Sequence, residues 1–200
     1  MEVVQQAYEA CAEQYIELFG SSAAVHHDDL ALIVRHLTIR PGTVLDAGCG
    51  PGHLTAHLHS LNVDARGIDL VPHFIDHARA TYPDTQFGLG SLHDLGVPDS
   101  SVAGILAWYS LIHVSPDEID SLLIELRRAL PVGGMLVTGF FNSNRITPFE
   151  HKVVTAYSWP IDELSDRLRR AGFVEVERQC RPAVTAAAIR SQAAIALTAE

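Results

Sequence analysis

The chain has 200 residues, of which 48% are hydrophobic and 19% are charged, and its formal net charge is −10. This length fits one domain with a small N-terminal cap, and this composition excludes an intrinsically disordered protein. No apolar run approaches the roughly 18 residues that a membrane-spanning helix needs, so a membrane is not expected as a partner. Because the chain has no basic run, nucleic acid is not expected as a partner either.

The N-terminal sequence and the cysteines predict where the protein resides. The first residues, Met1 to Gln6, have neither the basic start nor the apolar stretch of a secretory signal peptide. The three cysteines, Cys11, Cys49 and Cys180, are odd in number and far apart, so they do not form a disulfide framework. Such cysteine usage is typical of a reducing compartment, and we expect a cytoplasmic protein.

Helix-like and strand-like patterns alternate along the chain, which predicts an α/β fold built on a parallel sheet. Helical spacing covers 3–19 and 27–37, and we assign 1–40 to an N-terminal helical cap. The rest of the chain, 43–200, is predicted to form the core of the same single domain. Its first patterns are a strand at 43–45, a glycine loop with a helix to about 60, a strand at 63–68, a helix at 74–81, and strands at 85–89 and 102–107.

The second half of the core begins with the best-marked helix. Ser115, Pro116 and Glu118 have the spacing of a capping box, which predicts that the helix starts there. The segment 142–159 exceeds the usual connection of ~2–6 residues, and α/β proteins build binding sites on such insertions. The remaining predicted elements are a strand at 135–141, a helix at 161–171, a strand at 173–176 and a last strand within 192–198.

The most informative motif joins the first strand to the helix after it. The strand ends at Asp46, and Gly48, Gly50 and Gly52 follow at alternate positions. Glycines let the backbone turn sharply and let a ligand approach closely, and the next helix offers free N–H groups. Dinucleotide-binding folds use a different spacing, Gly-x-Gly-x-x-Gly, to seat a pyrophosphate. A carboxylate just before the loop would repel a pyrophosphate and would suit a cationic ligand.

A second carboxylate, Asp69, ends the second strand. An acidic residue about 20 positions after such a loop can accept hydrogen bonds from both hydroxyls of a ribose, and it disfavours a 2′-phosphate. The expected ligand therefore has a ribose, an adjacent base and a positive centre, and it needs no phosphate. S-adenosylmethionine has these properties.

At these residues the sequence resembles the class I S-adenosylmethionine-dependent methyltransferases of the small-molecule type, over nearly the whole chain. The segment from Asp46 to Gly52 is similar to their first motif, and Asp69 to their ribose-binding acid. Ser91 and Leu92 lie in the segment similar to their adenine-edge motif, with Ser91 where the family usually has an aspartate. The segments 126–134 and 171–173 resemble the turns that precede their fifth and sixth strands.

The resemblance implies a Rossmann-like, seven-stranded sheet in the order 3-2-1-4-5-7-6, with strand 7 antiparallel and helices on both faces. It also places Tyr8 and Tyr15 in the N-terminal cap near the methionine carboxylate, with Tyr15 the better candidate. The product of the implied reaction is S-adenosylhomocysteine. The cofactor-binding residues that follow are Tyr15, Asp46, Ala47, Gly48, Cys49, Gly50, Asp69, Leu70, Phe74, Ser91, Leu92 and Trp108.

The implied reaction is an in-line displacement on a sulfonium, for which a dry cavity that aligns the reactants contributes most. A general base is needed only where the acceptor must lose a proton, and Tyr109 and His113 are the candidates at the end of the fourth strand. Candidates for binding a small-molecule acceptor are Tyr109 together with Arg145, His151 and Trp159 of the insertion. The sequence leaves the acceptor, the oligomeric state and the use of a base open.

Other interpretations remain for several of these residues. Cys49 is expected to pack as a small side chain, and Trp108, Tyr109 and His113 have structural readings as core or helix-entry residues. The pairs His53 with His57 and His73 with His77 have zinc-like spacing, but no further ligands accompany them, so we expect solvated helix faces and no metal.

Two rival functions stay open. One is a non-catalytic module that binds S-adenosylmethionine or adenosine, since fold does not guarantee chemistry. The other, less favoured by the glycine spacing and by the lack of a Tyr-x-x-x-Lys pair, is a nicotinamide-dependent oxidoreductase.

Overall fold

In the computed structural model, which describes residues 2–183 and 190–200, helices and strands alternate as the sequence predicts. The helices are α1 (Glu2–Ala10), α2 (Ala12–Phe19), α3 (His27–Leu37), α4 (His53–Ser60), α5 (Pro72–Thr81), α6 (Ile119–Ala129) and α7 (Ile161–Arg170). The strands are β1 (Thr43–Ala47), β2 (Asp64–Asp69), β3 (Gln86–Leu89), β4 (Gly104–Trp108), β5 (Met135–Phe141), β6 (Thr147–Phe149), β7 (Ala156–Ser158), β8 (Phe173–Arg181) and β9 (Gln192–Ala199).

A seven-stranded sheet has the order β3-β2-β1-β4-β5-β9-β8. Strands β1 to β5 pair in parallel, and β9 lies antiparallel between β5 and β8. Because β8 and β9 are the sixth and seventh strands of this sheet along the chain, the predicted order 3-2-1-4-5-7-6 with an antiparallel seventh strand is confirmed. The parallel order brings the carboxyl ends of β1, β2 and β4 to one edge, where an α/β protein places its ligand.

Helices cover both faces of the sheet. Alternate residues of each strand point to opposite faces, so one strand packs against helices on both sides. In β4, Ile105 and Ala107 belong to an apolar cluster with α6 and α7, whereas Leu106 belongs to a cluster with α3 and α4. The fold therefore has three layers, with β4 at its centre. Of the helices described, none has the length and the apolar character needed to cross a membrane.

Two predicted helices differ from the structure. The pattern at 3–19 forms two helices that break at Cys11 (φ −123°, ψ 17°), and the rings of Tyr8 and Tyr15 on either side of the break both contact Phe74. The helix predicted to start at Ser115 begins at Ile119 instead. Residues 115–118 form a turn in which the Glu118 carboxylate accepts hydrogen bonds from the Ser115 hydroxyl, at 2.7 Å, and from the Ser115 backbone N–H.

The insertion 142–159 contains two short strands that the sequence did not predict. β6 and β7 pair with each other in an antiparallel fashion, outside the large sheet. The Tyr157 N–H donates to the Ile112 carbonyl at 2.7 Å, which ties the insertion to the segment after β4. The last predicted strand is present as β9, and the tail between 184 and 189 lies outside the described residues.

Candidate functional site

A cavity opens at the carboxyl edge of the sheet, under the two N-terminal helices. Glycines and a carboxylate line one side, and aromatic rings line much of the other. The residues around it are Val4, Tyr8, Tyr15, Gly48, Gly50, Asp69, Leu70, Val71, Phe74, Ser91, Leu92, His93, Trp108, Tyr109, Ser110, His113, Val114, Glu118 and Leu122.

The loop after β1 is held by backbone hydrogen bonds and requires glycine at Gly48. The N–H groups of Gly48 and Cys49 donate to the Ile68 carbonyl at 2.8 and 3.0 Å, which fixes the loop against β2. Gly48 has φ +81°, and a Cβ added there would lie 2.4 Å from the Ser110 Cβ. A side chain at Gly48 would therefore meet both strained backbone and a steric clash.

Three of the residues predicted to bind a cofactor have their side chains behind the loop. Asp46, Ala47 and Cys49 are buried and do not line the cavity. The Thr55 hydroxyl donates to the Asp46 carboxylate at 2.6 Å, which anchors the loop to α4. Burial raises the pKa of Asp46 to about 7, and the Thr55 hydrogen bond opposes this rise only in part.

Asp69 is the carboxylate on the cavity wall, and it connects two loops. Its Oδ2 accepts from the Gly50 N–H at 2.8 Å, and its Oδ1 accepts from the Val71 N–H at 2.9 Å. Burial raises its pKa, and hydrogen bonds from the backbone N–H groups of Val71, Gly50 and Leu70 oppose that rise. Because a carboxylate has about four lone-pair sites, it can still accept a hydrogen bond from a ligand.

Aromatic rings close the cavity from the side of the N-terminal helices. Phe74 is buried on α5, and the ring centroids of Tyr8 and Tyr15 lie 6.0 and 5.2 Å from it. Burial raises the pKa of Tyr15 to about 12, so its hydroxyl keeps its proton at neutral pH. Leu70, Ser91 and Leu92, which the sequence predicts to bind the cofactor, also line the cavity with Asp69.

The segment after β4 bends sharply into the cavity. Tyr109 has φ +54°, an uncommon value for a residue other than glycine, and such backbone strain clusters at functional sites. Its N–H donates to the Gly139 carbonyl at 3.0 Å, and its ring packs 5.1 Å from that of Phe141. Burial raises the pKa of Tyr109, which makes it a poor base. The buried Ser110 hydroxyl has no hydrogen-bond partner within residues 2–183 and 190–200.

His113 forms a hydrogen-bonded chain that sequence reasoning missed. Its Nε2 lies 2.8 Å from the Tyr8 hydroxyl, and its Nδ1 lies 2.9 Å from the Thr155 carbonyl. Because a carbonyl only accepts, Nδ1 carries the proton and Nε2 accepts from Tyr8. Burial lowers the pKa of His113 and raises that of Tyr8. No short-range pattern reveals a pair so far apart in the chain.

The predicted acceptor-binding residues of the insertion do not line the cavity. Trp159 is only 2% exposed and belongs to the apolar core. Its backbone N–H donates to the Phe141 carbonyl at 2.9 Å, which holds this residue against the sheet. Arg145 is exposed, since it lies in the turn before β6. His151 lies behind His113, with their ring centroids 5.3 Å apart. Trp159 and Arg145 therefore lie away from this cavity, and their role in binding an acceptor stays a prediction.

The four histidines of the predicted solvated helix faces, His53, His57, His73 and His77, are all half-buried. Burial lowers the pKa of His53, at the start of α4, to about 4.

Known proteins are similar to this chain in sequence and in fold. Residues 44–134 match the family described as a methyltransferase domain. A malonyl-[acyl-carrier protein] O-methyltransferase of Yersinia pestis is 27% identical over 138 residues, which are 68% of this chain and 51% of that protein. A protein of Mycolicibacterium smegmatis, named "Probable S-adenosylmethionine-dependent methyltransferase", is 30% identical over 67% of this chain and 52% of its own length. The chain spans about half the length of these curated relatives.

Among solved structures, the fold resembles that of 1,6-didemethyltoxoflavin-N1-methyltransferase from Burkholderia thailandensis, solved with 1,6-didemethyltoxoflavin and S-adenosylhomocysteine bound. The TM-score is 0.82 at 22% identity, and the match covers 99% of this chain and 88% of that one. With the sheet order and the glycine loop, these likenesses support a class I S-adenosylmethionine-dependent methyltransferase domain in this chain.

Proposed function

We propose that this protein transfers a methyl group from S-adenosylmethionine to a small-molecule acceptor. The observation that carries the proposal is the position of Asp69, which faces the cavity and accepts a hydrogen bond from Gly50 of the glycine loop. A carboxylate that can still accept a hydrogen bond, beside a loop with glycine at alternate positions, suits a ribose and a sulfonium. The Gly-x-Gly-x-Gly spacing of this loop also differs from the spacing that seats the pyrophosphate of a nicotinamide cofactor.

In this proposal the residues predicted for the cofactor divide into four groups. Gly48 and Gly50 let the methionine part approach the backbone, and Asp69 binds the ribose hydroxyls. The side chains of Asp46, Ala47 and Cys49 shape the loop from behind. The adenine lies among Leu70, Phe74, Ser91 and Leu92, while Tyr15 and Trp108 border the methionine end.

The proposed reaction is an in-line displacement at the sulfonium methyl group. Attack by a neutral nucleophile disperses the positive charge, so a cavity that excludes water and aligns the two reactants favours the transition state. The aromatic rings around the methyl end exclude water in this way. The cavity lies under α1 and α2 and carries no lysine or arginine on its described wall, which supports a small molecule over a nucleic acid as the acceptor. A single domain and a cytoplasmic location remain part of the proposal.

The proposal is tested first by calorimetric titration with S-adenosylmethionine, S-adenosylhomocysteine and NADH. We expect the first two to bind and NADH not to bind. Asp69→Asn should weaken S-adenosylmethionine binding by roughly 10- to 100-fold, because hydrogen bonds to a charged group contribute about 1.5–3 kcal/mol. Asp64→Asn is the matched control, since Asp64 begins the same strand at the opposite edge and is exposed.

The possible results separate the rival functions. Binding of NADH alone would replace the proposal by an oxidoreductase, and binding of none of the three would remove it. Binding of S-adenosylmethionine without release of S-adenosylhomocysteine, over a broad set of hydroxyl, amine and thiol acceptors, would favour the non-catalytic module.

A further inference from the structure

The hydrogen-bonded chain from Tyr8 through His113 to Thr155 connects three separate segments at the cavity wall. Tyr8 comes from α1, His113 follows β4, and Thr155 belongs to the insertion. Both Tyr8 and His113 line the cavity. This hydrogen-bonded chain therefore begins at the cavity wall and ends at a backbone carbonyl, which accepts the last hydrogen bond.

The direction of this chain suits the removal of a proton from the cavity. The Tyr8 hydroxyl donates to Nε2, and Nδ1–H donates to the Thr155 carbonyl, so both hydrogen bonds run in one direction, from Tyr8 towards Thr155. If the Tyr8 proton moves to Nε2, the carbonyl stabilises the resulting imidazolium through Nδ1–H. Such a hydrogen bond also fixes the tautomer and the orientation of the ring.

The titratable groups that face His113 do not oppose this transfer strongly. They are Tyr8 from α1 and His151 from the loop after β6. Burial, together with His113, Arg190 and Lys152, lowers the pKa of His151 to about 4, so His151 is neutral at neutral pH. The lowered pKa of His113 likewise leaves its Nε2 free to accept a proton at neutral pH.

The charges on the cavity wall indicate the state in which an acceptor enters. The only aspartate, glutamate, lysine or arginine side chains on its described wall are Asp69 and Glu118, which are both carboxylates. An acceptor that entered as an anion would meet no lysine or arginine side chain on that wall, as far as the structure describes it. A neutral acceptor enters without that cost, but a hydroxyl must then lose its proton for the oxygen to become a strong nucleophile.

We propose that Tyr8 and His113 form a proton relay that deprotonates a neutral acceptor, a phenol-type hydroxyl on a planar molecule. The inference rests on the proposed function and names its acceptor class. The rings of Tyr8, Trp108 and Tyr109 provide flat apolar walls for such a molecule. Tyr8 is the catalytic residue, because it touches the acceptor, and His113 is the positioning residue that takes its proton.

The proposed step balances without any further reactant. The acceptor hydroxyl gives its proton to the Tyr8 oxygen while the Tyr8 proton moves to Nε2 of His113. The acceptor oxygen forms a bond to the methyl carbon, the carbon–sulfur bond breaks, and its electron pair stays on sulfur. The products are the methyl ether, S-adenosylhomocysteine and a proton, which His113 later releases to water.

The test compares three nucleophiles that differ in whether they carry a proton. 4-Methylphenol is un-ionised near neutral pH, pentafluorophenol is ionised, and iodide has no proton. We expect Tyr8→Phe and His113→Gln to lower kcat/KM for 4-methylphenol by roughly 100-fold or more. Pentafluorophenol and iodide should change by less than about threefold, the size of a surface substitution effect. Tyr82→Phe and His59→Gln are the matched controls, because both residues lie away from the cavity.

Two further readouts separate a relay from a purely structural contact. The wild-type rate with 4-methylphenol should fall on the acid side of its pH profile as His113 is protonated, and the His113→Gln variant should lack that acid limb. Nitrogen NMR of the wild-type protein should find His113 protonated on Nδ1. Calorimetry with S-adenosylmethionine shows whether each variant still folds and binds.

Each contrary result would overturn a different part of the proposal. An equal loss with all three nucleophiles would make the Tyr8–His113 contact structural only. A wild-type protein that binds S-adenosylmethionine but methylates neither phenol would overturn the acceptor class. A wild-type protein that does not bind S-adenosylmethionine would remove the proposed function itself, which is a different failure from loss of the relay.

Discussion

The two sides of the cavity are built in different ways. On the side of the glycine loop, the backbone makes the key contacts: Gly48, Cys49 and Gly50 donate to partners on or just after β2. On the side of Tyr8 and His113, side-chain rings from α1, the end of β4 and the insertion meet one another. The first side permits few side chains, whereas the second can exchange one ring for another of similar size.

This difference indicates how the site divides its tasks. A ligand common to many proteins needs a fixed backbone cradle, because hydrogen bonds from N–H groups tolerate little displacement. An acceptor that differs from one protein to another is better met by side chains on mobile helices and insertions. We therefore expect substitutions on the first side to affect cofactor affinity and those on the second to affect acceptor choice or rate.

The largest effect is expected from Trp159→Ala, which tests whether Trp159 belongs to the core or to the side of the cavity that contains Tyr8 and His113. Trp159 is 2% exposed in the core, so the substitution should lower the free energy of unfolding by roughly 3–5 kcal/mol. The affinity of the folded protein for S-adenosylmethionine should be unchanged, since Trp159 does not line the cavity. Chemical denaturation and calorimetry at low temperature measure the two quantities.

Arg145→Ala is the control for this prediction, because Arg145 lies in the same insertion but is exposed. It should change stability by less than about 0.5 kcal/mol. If the Trp159→Ala protein had normal stability and an altered acceptor preference, Trp159 would belong to the cavity wall, which would contradict its place in the core.

Local signals located the glycine side, and on the aromatic side they named individual rings such as Tyr15, Trp108 and His113 but not the contacts between them. Asp46, the three glycines and Asp69 sit at strand ends, and parallel strands bring such ends to one edge. The contact between Tyr8 and His113 spans 105 positions, so no short pattern contains it. The position of Trp159 in an insertion at a strand end makes it a candidate for binding the acceptor, but whether an insertion folds outward or against the sheet depends on long-range packing. The break at Cys11 likewise separates two helices whose apolar spacing is continuous.

The next largest effect is expected from Gly48→Ala, which tests the rigid side. The new Cβ would lie 2.4 Å from the Ser110 Cβ, and φ is +81°. Because the loop must shift to relieve the clash, affinity for S-adenosylmethionine should fall by about 100-fold, equivalent to ~2.7 kcal/mol. Gly96→Ala is the matched control, since φ is +66° there but nothing lies within 4 Å of the added Cβ. Equal affinities of the two variants would show that the loop adapts and that the two sides differ less than we infer.

The smallest effect is a change of stability with pH, and it arises from Asp46 behind the glycine loop. The folded protein keeps a proton on Asp46 up to about pH 7, whereas the unfolded chain releases it near pH 4. Between these values the folded state binds more protons, so the contribution of Asp46 to the free energy of unfolding falls as the pH rises. Asp46→Asn removes this dependence while keeping an oxygen that accepts from the Thr55 hydroxyl.

The Tm of Asp46→Asn relative to wild type should therefore rise by a few degrees between pH 5 and pH 8, as thermal unfolding at a series of pH values can measure. Asp64→Asn gives the opposite case, because the Thr43 hydroxyl lowers the pKa of Asp64 and its contribution is lost only as the pH falls towards acid. Its Tm difference from wild type should stay flat over the same range. Parallel profiles for Asp46→Asn and wild type would mean that Asp46 is already ionised at pH 5. The carboxylate behind the glycine loop would then be charged, and only the hydrogen bonds from the backbone N–H groups of the loop would hold it rigid.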